Sequence, residues 1–208
     1  MKKYLLLLSL PLFVGLACSQ AESGTYSKKE LDLQGTDTAY FASGCFWCVE
    51  AIFESVKGVE EVVSGYSGGK EKNPSYREVA SGSTSHAEAV QVFYNPEIVS
   101  FETLLKVYYG SHNPTTVNGQ HPDYGTQYRS IIFYSNPKEK ELAEAYKKEV
   151  AKDYIDPIAT EIVAFEKFWP AEDYHQDYEK KNPNQPYVRS VSIPRLNRFK
   201  EKFPELLK

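Results

Sequence analysis

The run TAYFASGCFWCVEAIFESV, residues 38–56, changes its apolar period part-way along, and that change is what most restricts the fold. Thr38 to Ala42 reads as a buried strand. Ser43 and Gly44 then supply an N-cap and a turn, and Phe46, Val49, Ile52, Phe53 and Val56 follow at helical spacing. A strand feeding directly into an amphipathic helix needs a sheet for the helix to lie on. The junction also carries two of the chain's 3 cysteines: Cys45 at the helix start and Cys48 one turn later.

Downstream, the same alternation of elements continues. VEEVVSGY is a short apolar run, SGGKEKNPSY a polar glycine-rich loop, and HAEAVQVFY alternates like a strand. Ser100 opens a helix that places Phe101, Leu104, Leu105 and Tyr108 on one face. QYRSIIFY is strand-like, Asn136-Pro137 starts a charged helix running to about Tyr154, and ATEIVAFEKF is strand-like again. Strands interleaved with helices, in 208 residues of which 41% are hydrophobic and 25% charged, predict one α+β or α/β domain over 36–208 with helices packed on a sheet. From about residue 184, a stretch carrying Pro194 and Pro204 is expected to wrap the domain as an arm and short helix.

The first residues, MKKYLLLLSLPLFVGLAC, join two lysines to a leucine-rich run too short for a stable membrane anchor, ending in small residues. This predicts an export signal over 1–17. GLAC resembles a loose bacterial lipobox, so lipid attachment at Cys18 is favoured over peptidase cleavage near Ala17 or Ala21, although Gly15 stands where an aliphatic residue is usual. Residues 18–35 are polar and aperiodic and read as a tether. Losing Lys2 and Lys3 takes the formal charge from −4 to −6, which argues against a nucleic-acid partner. The expected location is the bacterial cell envelope or periplasm, where two remaining cysteines pair unless something reduces them.

A thiol at a helix N-terminus meets unpaired N–H groups and the positive end of the helix dipole, so Cys45 is a candidate nucleophile. Cys48 at i+3 shares its face, within reach of a disulfide. The same pair also fits an inert bridge, a general thiol–disulfide oxidoreductase, or half of a zinc site completed from His86, His112, His121 and His175, which show no paired ligand spacing. Glu88 lies on the strand face of Val90 and Val92; a carboxyl there resists ionisation, unless the strand is an edge where it reaches water. Tyr76 and Tyr128 stand in or beside loops rich in turn residues.

Taken in order, GCFW with its following acid, GYSGG, NPSYREV, SGSTSHAEAVQVFYNP, DYGTQYRSIIFY and FWPAEDYHQDYEKKNP resemble the methionine sulfoxide reductase A family, from about Thr38 to Lys181. The resemblance implies a mixed α/β two-layer sandwich with a ferredoxin-like core, no metal or organic cofactor, and reduction of methionine S-sulfoxide, free or in proteins. By motif position it makes Cys45 the attacking thiolate, Phe46 and Trp47 the walls around the substrate methyl, and Glu88 the acid. Tyr76 and Tyr128 would hold the sulfoxide oxygen, and Asp123 would support the site. In the commonest pattern of that family a glycine takes the place of Cys48 and a cysteine in a C-terminal tail resolves the sulfenic acid; here the arm has no cysteine, which leaves the nearby Cys48 or an external thiol, and Cys48 is favoured. A thioredoxin-like reductant is the partner this implies, and a monomer is expected.

Overall fold

The structure is a computed structural model and describes residues 33–208. The signal of residues 1–17, Cys18 and most of the tether lie outside the described residues. In chain order the elements are β1 (Asp37–Ser43), α1 (Phe46–Glu54), β2 (Val59–Ser67), α2 (Tyr76–Ala80), β3 (Ala87–Tyr94) and α3 (Phe101–Gly110). There follow the short pair β4 (Gly119–Gln120) and β5 (Asp123–Tyr124), then β6 (Ser130–Tyr134), α4 (Pro137–Val150), β7 (Glu161–Ala164), β8 (Phe168–Pro170), α5 (Tyr178–Lys181) and α6 (Ile193–Lys202). Among the described residues, no helix is long and apolar enough to cross a membrane.

Six strands form one sheet in the order β7-β6-β1-β3-β2-β8. All neighbours run antiparallel except β6 and β7. Its central four strands, connected β1-α1-β2-β3-α3-β6, interlock two split βαβ units, which is the ferredoxin-like core.

The two outer strands explain the sheet's curvature. ATEIVAFEKF was expected as a single strand-like stretch, but it divides into β7 on one edge and β8 on the other. Ala164 and Phe168 are four residues apart, a reach of about 14 Å, whereas five flat strand spacings would separate the edges by about 24 Å. The sheet must therefore curl until its edges approach. Its inner face is lined by small residues, Ala42, Ala87 and Ala89, together with Val63, Phe93, Ile131, Phe133 and Phe168. Phe165 closes it by stacking on Tyr40 at 3.7 Å.

The outer face carries the larger core, where α1 contributes Phe46, Val49, Ile52 and Phe53 and α3 contributes Leu104, Leu105 and Tyr108 against Phe41, Val90, Val92 and Ile132. Phe53 stacks on Phe41 with ring centroids 5.0 Å apart. Each such side chain fully buried contributes about 1.5–3 kcal/mol, so α1 is held by packing.

Two further expectations are revised. QYRSIIFY is a strand only from Ser130, because Gln127 and Tyr128 lie in a 3-10 turn that follows Gly125, with φ +144°. The arm is more helical than its prolines suggest: Val188–Ser192 forms a π-helical turn, closed by the Ile193 N–H donating to Val188 O, and runs straight into α6. Pro194 accounts for that widening, since its ring crowds the carbonyl four residues back and it has no N–H to offer.

β8 approaches β2 so closely that a Cβ on Gly65 would stand 2.4 Å from both Trp169 O and Phe168 Cζ. Gly65→Ala is expected to lower unfolding stability by about 1–3 kcal/mol, read from urea denaturation. An unchanged midpoint would contradict this close approach.

Candidate active site

Gly44 makes the turn between β1 and α1. Its φ of +89° suits glycine, and a Cβ there would lie 2.9 Å from Gln120 Cβ. Cys45 follows in the N-cap position, and its side chain caps nothing. Ser43, the expected N-cap, is instead the buried last residue of β1. The free donor at the helix start is satisfied from elsewhere: Phe46 N–H donates to Glu88 Oε2 at 3.0 Å. Glu88 is presented by β3 opposite Tyr66 of β2, on the face that Val90 and Val92 share with the main core, as its alternation predicts. It is 2% exposed, so the edge-strand alternative is excluded.

Burial pushes the Glu88 carboxyl up to about 8, against the Phe46 N–H that pulls it down, while the charges of Asp123 and Cys48 add to the rise. Near neutral pH it is a carboxylic acid with one oxygen committed to the helix. The other can carry a proton.

The two cysteines are free thiols. They are hydrogen-bonded to one another, and burial pushes the Cys45 thiol up, with Cys48 and the charge of Glu88 adding to it. Cys48 is drawn down to about 6, first by the hydrogen bond from Cys45, then against its own burial by the Arg195 charge and the hydroxyls of Ser192 and Tyr187. Burial thus opposes the lowering that the helix start is expected to give Cys45, and the pair's shared proton leaves the charge drawn toward Cys48.

Around the sulfurs stands an aromatic wall. Phe46 is buried, with its ring 5.0 Å from His175 and 6.3 Å from Tyr76. Trp47 stacks on Tyr178 at 3.7 Å, and its Nε1 donates to His175 Nδ1 at 3.0 Å. That bond fixes the His175 proton on Nε2, and burial lowers this imidazole to about 4, so it orients the indole as a neutral ring. Tyr76 is anchored by its N–H donating to Glu172 Oε1. Burial first, then the charges of Glu88 and Cys45, pushes the Tyr76 phenol up to about 12 and raises Tyr128 for the same reasons. Asp123 accepts from the Tyr187 hydroxyl, which in turn lies 3.9 Å from Cys48 Sγ.

The structure thus brings Cys45, Phe46, Trp47, Cys48, Tyr76, Glu88, Asp123 and Tyr128 into one region. Residues that sequence reasoning gave no place in it are Glu172, His175, Tyr178, Tyr187 and Ser192. The first three fall inside FWPAEDYHQDYEKKNP, where the alternation of aromatic and polar residues is the available signal. The zinc alternative finds no support: among the described residues the sole group placed to hold an ion is Glu50, Glu54 and Asp177, away from both cysteines. Lys180 already bridges Glu54 and Asp177 there, at 2.9 and 3.1 Å.

Two hydrogen-bonded thiols, a buried carboxyl tied to the helix between them and two phenols that feel the charges of Glu88 and Cys45 form a centre suited to thiol-based oxidoreduction. The family model for peptide methionine sulfoxide reductase matches residues 37–207. Similar curated proteins include peptide methionine sulfoxide reductases of Rhodopirellula baltica, 47% identical over 84% of this chain and 91% of that one, and of Natronomonas pharaonis, 49% identical over 82% and 97%. Among solved structures, reduced Mxr1 of Saccharomyces cerevisiae superposes with TM-score 0.71 at 33% identity, covering 76% of this chain and 92% of the other. Methionine sulfoxide reductase A of Corynebacterium diphtheriae does so with TM-score 0.66 at 37% identity, covering 72% and 76%. A complex of the yeast protein with Trx2 shares the fold at TM-score 0.52 and 23% identity, over 73% of this chain and 91% of the other. The chain belongs to the peptide methionine sulfoxide reductase family, as a methionine sulfoxide reductase A.

In the reduced protein, ultraviolet thiolate absorbance is expected to persist down to about pH 6. Cys48→Ser should remove that step and leave Cys45 titrating above the ordinary cysteine range. A single transition at the ordinary cysteine value in the unaltered protein would contradict the shared proton.

Proposed function

We propose that the chain reduces methionine S-sulfoxide, free or in proteins, with Cys45 as the attacking sulfur and Cys48 as the resolving one. The single observation that supports this most is Glu88: a buried carboxyl kept protonated near neutral pH and bonded to the residue beside Cys45. Sulfoxide sulfur bound against Phe46 and Trp47 is attacked by Cys45 after its proton passes to Cys48. Charge develops on the sulfoxide oxygen, where Glu88 donates a proton and the Tyr76 and Tyr128 phenols donate hydrogen bonds. The oxygen ends on Cys45 as a sulfenic acid, and methionine leaves.

Cys48 then attacks the Cys45 sulfenic sulfur, giving the disulfide and water. Two electrons from an external dithiol return both cysteines to thiols. Yeast Mxr1 is known in complex with Trx2, and that pairing is the pattern on which we infer a thioredoxin-like reductant here. The steps use only these side chains and call on no metal or organic cofactor. A general disulfide oxidoreductase would leave Glu88 and the aromatic wall without a task.

The place of action is inferred from the sequence. Residues 1–17 act as an export signal, Cys18 takes a lipid, and 18–35 tether a monomeric domain over 36–208 in the cell envelope, where it repairs exported proteins.

Cys45→Ser should abolish methionine formation even in a single turnover; a residual burst would remove Cys45 from its role. Cys48→Ser should keep one turnover and lose thioredoxin-dependent recycling, whereas an unchanged steady state would point to direct reduction of the sulfenic acid. Glu88→Gln should slow the chemical step by ~10²-fold or more. In the unaltered protein that step should fall as pH rises past about 8, because a raised carboxyl is a donor only below its folded value; a flat profile would dismiss Glu88 as the acid.

A further inference from the structure

Cys48 sits in a cradle built by the arm. Its sulfur lies 2.9 Å from Ser192 Oγ and 3.9 Å from the Tyr187 hydroxyl. Ser192 is fully buried, and its hydroxyl finds its partner in that sulfur. Burying a hydroxyl without a partner costs about 1–3 kcal/mol, so the packing is arranged around this contact. Tyr187 commits its own proton to Asp123 and turns oxygen lone pairs toward the sulfur. Ser192 can therefore donate to Cys48 when that sulfur is ionised, and Tyr187 can accept from it when it is a thiol.

The backbone of the arm shows how two residues five apart come to touch one atom. In a regular α-helix, five residues turn the side chain by about 140° away from the first. The π-helical turn Val188–Ser192, with Ile193 N–H donating to Val188 O, widens that turn and brings Tyr187 and Ser192 toward one face. π-Helical turns occur often where side chains must be aimed. Arg195, one turn further on, is fixed by donating from Nε to Ser111 O and from Nη2 to Ser43 O, and its charge acts on both the Cys48 sulfur and the Asp123 carboxyl.

We propose that Ser192 and Tyr187 are positioning residues for the resolving step: Ser192 donates to the Cys48 sulfur, the Tyr187 hydroxyl lies against it, and together they aim it for attack on the Cys45 sulfenic acid. The inference rests on the sulfoxide-reductase reading above. In this step the Cys48 thiolate attacks the Cys45 sulfur, an S–S bond forms and the S–O bond breaks. The oxygen leaves with its own hydrogen and the proton that Cys48 gave up, as water. The arm, which carries no cysteine, contributes to resolution by hydrogen bonding.

The test uses the full reduced chain with one equivalent of an oxidised-methionine peptide, following methionine release, dimedone capture of sulfenic acid and disulfide formation by quenched-flow mass spectrometry. The unaltered protein should release one methionine and close the disulfide with little captured adduct. Ser192→Ala should still release one methionine, but close the disulfide ~10-fold or more slowly, accumulate the Cys45 adduct, and move the pH profile of closure upward by about one unit. Tyr187→Phe keeps the ring beside Trp47 and should slow closure as well; it decides the matter if Ser192→Ala fails to fold. Closure at the unaltered rate and pH dependence in the folded variants would overturn the proposal. Failure of the unaltered protein to release methionine would instead overturn the sulfoxide-reductase reading.

Discussion

The hydrogen bond from Phe46 N–H to Glu88 Oε2 joins the two parts of the molecule on which the rest depends. It ties the start of α1 to the middle strand β3 and supplies the capping acceptor that the local sequence does not. It also keeps a carboxyl in the core at a fixed place. Breaking it would leave a buried N–H unsatisfied and free Glu88 to turn, costs that a stacked Phe41–Phe53 core resists by holding α1 against the sheet. The helix start is therefore held on one side by packing and on the other by a buried carboxyl.

Glu88 and the cysteines also set one another's charge. A carboxyl that stays neutral allows a thiolate to stand nearby without like-charge repulsion, and a thiolate nearby helps keep the carboxyl neutral. The negative charge of the cysteine pair is drawn toward Cys48, beside the Arg195 charge and the Ser192 hydroxyl. Burial and the neighbouring Cys48 push the Cys45 thiol up. With the charge drawn toward Cys48, the buried Cys45 sulfur is held as a thiol against the aromatic wall.

Much of this was legible in the sequence because it is local. The strand, turn and helix around GCFWC follow from a change of period, and the burial of Glu88 follows from alternation in HAEAVQVFY. The surroundings of Cys48 were hidden because helix-start chemistry is a local rule, whereas the hydroxyls against its sulfur come from residues 139 and 144 positions away. The curl of the sheet was equally hidden, since nothing in ATEIVAFEKF says that its two halves join opposite edges. Ser192 and Tyr187 carry no signature of their own. Pro194 is the one local hint, and it lies just after the widened helical turn that brings them together.

The account stands on Glu88 being a carboxylic acid beside Cys45 at neutral pH. Infrared difference spectroscopy of the reduced protein, compared with Glu88→Gln, reads that proton directly. A protonated carboxyl band present at neutral pH, absent from the variant and lost as pH rises past about 8 is the predicted result. A band for ionised carboxylate throughout the neutral range would contradict it.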